Sequence, residues 1–493
     1  MPLFASTQRK GDLKDAWGYQ FRWTENHQTA EQYNHLKYSC DTLAEECSII
    51  LNGWPSSEEK YRSYGKQEVA LGESPSKPDE KKSASPSNPP KRDLYRLFQD
   101  HHKEDAKLQQ LWDEVNTIPQ WVDWDQIGRG QDVLYRYGGA TFTGLTYQSL
   151  VGGTAGSRVA EVLSRTGGFA IHTVLRRLLE TTLYILECTD NVESIKPGGK
   201  GFASCLRVRF LHATVRQRIL QLTSKHPSYY SVEKNGVPVN DLDCIGTIAG
   251  FSSTIIWQSL PRQGIYLRQQ EIEDYIALWR LVAHYMGTPT EHFSTPAKAR
   301  AIMESIFLYE YKPSPTSQTH AQNIILALEN TPPAHASRPY LEASARWLNG
   351  NRLSNALGLG RPGLYYSFLT VCQCLMFMTV YYTCRAIPLL DRAQIKASRS
   401  AVWAALKTSE YDLDSRFAFD LKYLPKLEGQ RKTEYMSPSE RRQADVFWTA
   451  DRKSLFILAI LGLASVVGPW LSWKVVYWAS RMTSPAIFFL NGN

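Results

Sequence analysis

From Leu94 onward the chain repeats one pattern: apolar residues at three- and four-residue spacing, in segments closed by glycine or proline. Val159 to Leu163, Val174 to Leu186 and Leu206 to Leu222 are such segments. The breaks fall at Gly138–Gly139, Gly152–Gly153, Gly167–Gly168, Pro197–Gly199, Pro227, Gly236–Pro238 and Pro261–Gly264. Alternating, strand-like runs are scarce. A chain patterned in this way buries its apolar stripes by packing helix on helix, so the expected class is all-α, a single large helical bundle. With 493 residues, 43% of them hydrophobic, there is material for one such core.

Composition divides the chain further. Residues 1–73 mix aromatics with charge around a helical-looking stretch, Ala30 to Leu51, and are expected as a helical or irregular extension. Residues 74–93 are rich in Ser, Pro and Lys and nearly free of large apolar side chains; such a segment cannot bury enough surface to offset its conformational entropy, and a disordered linker is expected. The bundle itself is expected over 94–440. Two uncharged runs stand out. Leu364–Cys384 covers 21 residues, and its hydroxyls and sulfurs suit either a packed helix or one dipping into a membrane. Leu455–Trp473 covers 19 residues between Arg452-Lys453 and Lys474, with Trp470, Trp473, Tyr477 and Trp478 at its end. A helix of that length spans roughly 28 Å, which predicts a C-terminal transmembrane anchor over 453–480.

Charge and cysteine content narrow the function. A net charge of +8 is modest for this size, and Lys and Arg form no dense block with interleaved aromatics, so no nucleic-acid partner is expected. The eight cysteines are scattered, with no CxxC followed by a second Cys or His pair, which argues against structural zinc. The N-terminus runs straight into charge without the apolar core of a secretory signal, and no Asn-x-Ser/Thr sequon occurs. Together with the C-terminal run, this predicts an endomembrane location, the endoplasmic reticulum, with the body facing the cytosol.

One histidine has unusual company. In RVRFLHATVR, Arg209 stands three residues before His212 and Arg216 four after it, spacings that place the three on one helix face. A solvated face is the ordinary reading of such a set. The alternative is a bound group with negative charges of its own. Haem fits, since a neutral imidazole binds iron and arginines neutralise propionates. Upstream, RRLLETT aligns Arg177, Glu180 and Thr181, either as a surface ion pair or as polar groups over an oxygen-binding site.

These two segments, with WVDWDQIGRGQDVLYRYGG, GVPVNDLDCIGTIAGFSSTIIW and YIALWRLVAHYMGTP, make the stretch from about Trp121 to Leu359 resemble the latex-clearing rubber oxygenases. Their wider family includes the fungal ER-bound oxygenase that trims a prenyl side chain in mycophenolic acid biosynthesis, a secondary-metabolism reaction. The resemblance implies a globin-like bundle around haem b, with His212 as the axial iron ligand and metal site, and Arg209 and Arg216 flanking the cofactor. Arg177 and Thr181 match the Arg and Thr of the family's distal Arg-x-x-Lys-Thr motif; Glu180 stands where rubber-cleaving members carry Lys, which puts rubber itself in doubt as substrate. Glu161 lies at about the place of the family's proposed base. The implied reaction is cleavage of an alkene by dioxygen in an apolar, isoprenoid-like substrate, with Glu161 or Glu180 removing an allylic proton. Two other readings stand beside it: haem-dependent hydroxylation or peroxidation of a hydrophobic metabolite, and a haem-free, membrane-anchored helical binding protein.

Overall fold

The structure, a computed structural model, describes residues 12–54, 93–332, 334–407 and Pro425. Several of its helices start where a short polar side chain can take the free amides of a first turn. Asp41 caps α1 (Thr42–Gly53), Asp93 caps α2 (Leu94–His101), Asp105 caps α3 (Ala106–Asn116) and Asp123 caps α4 (Trp124–Arg136). Then come α5 (Ser157–Thr166), α6 (Val174–Thr189) and the 26-residue α7 (Lys200–Lys225). Asn240 caps α8 (Asp241–Phe251), and α9 (Gln269–Tyr285) follows. A hydroxyl cap followed by proline opens α10 (Pro296–Tyr309) and α11 (Pro315–Leu328). The last helices are α12 (Arg338–Ala356), α13 (Leu364–Ala386) and α14 (Pro388–Lys407). Among the described residues one hairpin, β1 (Leu13–Ala16) against β2 (Tyr19–Arg22), is the only sheet. The all-helical expectation holds.

α4 lies along α9, α6 along α7, and α1 crosses α7; α13 packs on α12 and α14, and α14 returns to α4. Trp279 of α9 is fully buried and stacks on Phe251 at 5.1 Å. Burying a side chain of that size contributes about 2–3 kcal/mol or more, so this pair anchors the centre of the core.

Three features differ from the sequence expectation. The helix expected from Ala30 begins only at Thr42, because Asp41 supplies the cap there and Asn34–Lys37 forms a separate 3-10 turn. Residues 12–54, expected as part of an extension, are packed into the body: Tyr33, Leu36, Cys47 and Leu51 belong to the main core, and Ala16 and Phe21 to a second one. The breaks expected at Gly138–Gly139 and Gly152–Gly153 are absorbed into continuous helical turns, Gly138–Gly144, a π-helical stretch Leu145–Val151 and a 3-10 turn Gly152–Ala155. Gly144 serves close approach there, since a Cβ would meet Ser259 at 2.6 Å. The expected linker (74–93, apart from Asp93), the end of the expected 94–440 domain and the 453–480 anchor lie outside the described residues.

α1 is bound to α7 by buried charge. Asp41, besides capping α1, accepts from Arg209 Nε at 2.6 Å, and Glu114 accepts from the same guanidinium at 2.9 Å. Arg209 is 3% exposed. Replacing Asp41 by Ala removes both a helix cap and the main partner of a buried cation. We expect a loss of about 3–5 kcal/mol in urea unfolding; a loss below about 1 kcal/mol would show that Glu114 alone satisfies Arg209.

Candidate functional site

A cavity of about 530 Å³ opens between α5, α6, α7 and α8, within the range of small-molecule sites. Most of its wall is aliphatic or aromatic, with Leu150, Val159, Leu179, Val215, Ile248 and Phe251 among the lining residues. Both π-helical stretches border it. Leu145–Val151 and Ile255–Ser259 are joined by a buried bridge in which Gln148 Nε2 donates to Gln258 Oε1 (2.7 Å) and Ser259 Oγ to Gln148 Oε1 (2.9 Å). π-helical turns widen a helix locally and recur at functional sites.

His212 stands in this wall, in mid-α7 between Val208 and Val215, with no hydrogen-bond partner among the described residues. Burial pushes its pKa down from 6.5 to about 4, and Arg216 and Arg177 push the same way against a smaller opposing effect of Asp41. The imidazole is therefore neutral at ordinary pH, with a lone pair to offer. Among the described residues no group of three or more His, Cys, Asp or Glu could hold a bare metal ion. The lone His212 imidazole could supply one ligand to the iron of a haem, a donor set the residues present fit.

The other expected site residues divide. Arg177 and Thr181 of α6 line the cavity with His212. Thr181 Oγ1 donates to the Arg177 carbonyl at 2.9 Å, which leaves its oxygen lone pairs open. Glu180 is fully buried away from the cavity wall, held by Arg177 at 2.5 Å and Arg176 at 3.1 Å. Glu161 points off the wall as well, to Arg165 at 2.5 Å and Thr316 at 3.3 Å. Arg209 and Arg216 do not share a face with His212 toward the cavity. Arg216 donates to the carbonyls of Pro238 (3.2 Å), Asp41 (3.1 Å) and Val239 (2.9 Å) and to Glu45 (3.3 Å). The physical reason is angular: offsets of three and four residues leave each arginine about 40–60° off the histidine's direction, and α1 with its carboxylates takes that side of the helix.

Spacing gave no sign of the carboxylates that do line the cavity, Asp243 of α8 and Glu310 just after α10. Arg158 of α5 donates to both, to Asp243 at 2.7 Å and to Glu310 by a shorter contact. Asn240 holds the second Asp243 oxygen at 2.9 Å, while Lys37 (3.0 Å) and Tyr33 (3.0 Å) hold Glu310. Burial raises the Asp243 carboxyl, and Arg158 brings it only part of the way back. At Glu310 burial also pushes upward, but Arg158, Lys37 and Tyr33 outweigh it and hold the group below the usual carboxylate range. Asp243 is thus the wall carboxylate more disposed to hold a proton.

Fold and site define a class: an all-helical protein with an apolar cavity and one unpaired imidazole placed to ligate. Residues 135–371 match the family described as ER-bound oxygenase mpaB/B'/Rubber oxygenase, catalytic domain, a match that supports the latex-clearing/rubber oxygenase family. A rubber oxygenase from Streptomyces sp. (strain K30) is 20% identical over 263 residues, which cover 52% of this chain and 61% of that relative. The solved structure of a latex clearing protein in its closed state superposes with a TM-score of 0.50 at 15% identity, covering 75% of this chain and 91% of that one. At that identity the likeness bears on fold alone.

The histidine has a measurable signature in the ligand-free chain. Its folded pKa of about 4 lies below the ordinary 6.5. Below pH 6.5 the unfolded chain binds a proton that the folded chain refuses, so this group lowers stability as pH falls toward 4, by at most about 3 kcal/mol; above 6.5 it contributes nothing. His212→Asn is expected to flatten the acid limb of stability against pH over that window, read from urea midpoints. An unchanged slope would assign the proton uptake to another group.

Proposed function

We propose that the chain is a b-type haem-dependent oxygenase that cleaves a C=C bond in an apolar, isoprenoid-like substrate, with His212 as the residue that would hold the iron. The observation that carries this reading is the unpaired, neutral His212 imidazole in the wall of an apolar cavity of about 530 Å³. The family supports oxidation by dioxygen. Residues 94–440, joined by the packed N-terminal stretch, form the oxygenase body, and residues 453–480 attach it to the endoplasmic reticulum membrane with the body in the cytosol, where an apolar substrate partitions.

Haem, when bound, would supply the activation of dioxygen. The protein's own residues do the rest. The aliphatic walls strip water from the substrate and hold its chain. Arg177 presents a cation, and Thr181 an oxygen lone pair, on the α6 wall. Arg158 and Asn240 hold the two Asp243 oxygens in place, and Asp243 takes the allylic proton, the part expected of Glu161 or Glu180. Glu180 instead neutralises Arg176 and Arg177 from behind the wall. Arg209 and Arg216 keep α7 in position and are not the propionate partners of this reading.

The test is an absorption spectrum of the purified protein, oxidised and dithionite-reduced, beside His212→Ala. A Soret band with a b-type pyridine haemochrome, lost in the variant, is the expected result. A folded wild type that stays without a Soret band after haem supplementation would falsify the oxygenase reading in favour of a binding protein. Asp243→Asn is expected to keep the Soret band and lower alkene turnover by about 10²–10⁴-fold, the range of a lost general base. Glu161→Gln is expected to change turnover little.

A further inference from the structure

Most surface helices here show the solvent a polar face, but α13 does not. Leu364 is 89% exposed, Phe368 54% and Leu375 50%, and offsets of four and seven residues put the three on one stripe. The stripe continues into the first turn of α14, where Leu389 is 74% exposed beside Leu390. Monomeric surfaces rarely present so continuous an apolar row unless something covers it.

By length and composition α13 could cross a bilayer. Its other side is fastened to the body. Leu369, Phe377 and Tyr381 are buried, Tyr381 Oη accepts from the Gly139 amide at 2.8 Å, and Tyr382 Oη donates to the Gly264 carbonyl at 3.0 Å. Arg385 donates to Tyr137 Oη and to the Tyr266 carbonyl, each at 2.9 Å. Spanning would strip these partners and carry Arg385 and a flank of the folded body into hydrocarbon.

Charge says what covers the stripe. From Leu364 to Lys407 there are five Lys and Arg and one carboxylate, Asp391, which is bonded to Arg136 at 2.8 and 3.0 Å. Arg392 and Lys396 stand exposed next to Leu389 and Leu390. Tyr266, 64% exposed, and Trp347, 41% exposed, sit on segments that hydrogen-bond to or pack on α13. Apolar stripe, aromatic rim and cationic flank are the make-up of an interfacial element.

We infer that α13 and the first turn of α14 form a docking surface for an anionic phospholipid bilayer, on which the body lies without crossing it. The inference is independent of the cofactor and of the attachment proposed for residues 453–480.

Hydroxyl-radical footprinting of the full chain tests it, with phosphatidylcholine–phosphatidylserine vesicles, with phosphatidylcholine vesicles, and without lipid. The expected result is a several-fold fall in oxidation of Phe368, Leu375 and Leu389 on the anionic vesicles, with Leu13 and Tyr38, exposed elsewhere, unchanged. The triple variant Phe368→Asp/Leu375→Asp/Leu389→Asp changes only exposed positions and is expected to lose the accompanying shielding of Trp347. Unchanged oxidation in vesicle-bound chain, or no binding to vesicles, overturns the inference. Equal shielding on neutral vesicles overturns the anionic assignment. Shielding already present without lipid overturns the bilayer as occupant; if it vanishes on dilution a second copy was the cover, and if it persists the chain's own C-terminal run was.

Discussion

Two buried arginines on one helix hold the site together. Arg209 and Arg216 sit one turn to either side of His212 on α7; both face the start of α1, Arg209 reaching also Glu114 of α3 and Arg216 the segment leading into α8. Buried guanidiniums are tolerable only with every charge matched, and here the matching groups are Asp41, Glu45, Glu114 and a row of backbone carbonyls. The geometry leaves no slack. Gly287 lies against the same pair with φ +66°, and a Cβ there would meet Asp41 Oδ2 at 2.3 Å and Arg209 Nε at 2.6 Å. With one flank of α7 immobilised in this way, the intervening histidine is left to face the cavity on the other.

The cavity owes its polar corner to a similar clamp. Arg158 ties α8 to the end of α10 through Asp243 and Glu310, and Lys37 and Tyr33 bring the N-terminal segment into the same network. Residues 12–54 therefore brace the Glu310 carboxylate of the wall as well as adding to the core. On the opposite side, two π-helical stretches meet through Gln148, Gln258 and Ser259. Apolar walls with one neutral imidazole and two restrained carboxylates can separate ligation from proton handling, because the carboxylates are paired with Arg158 and not with the imidazole.

The histidine and its neighbours show how far a linear pattern reaches. RVRFLHATVR marks His212 as exceptional, and the arginines beside it are buried charges, as their company suggests. Their partners are protein carboxylates and carbonyls, supplied by residues about 95 to 175 positions away for the N-terminal groups. Helical spacing states which residues are near one another on a helix; it does not state which neighbour occupies each side. The same holds for Glu180, held by arginines three and four residues before it, and Glu161, held by an arginine four residues after it, both off the cavity wall. Asp243 and Glu310 had no shared spacing to betray them, because an arginine from a third element brings them together.

What the sequence determined by itself was the helical class, the presence of the strongly periodic helices, and the exceptional company of His212. Those follow from local physics: apolar periodicity, capping side chains and one histidine in a motif. Only the tertiary structure decided which carboxylates reach the cavity, that the N-terminal segment is part of the body, and that α13 keeps one apolar face outside. Each of these depends on contacts between residues far apart in the chain, where packing and charge matching, not spacing, select the partner.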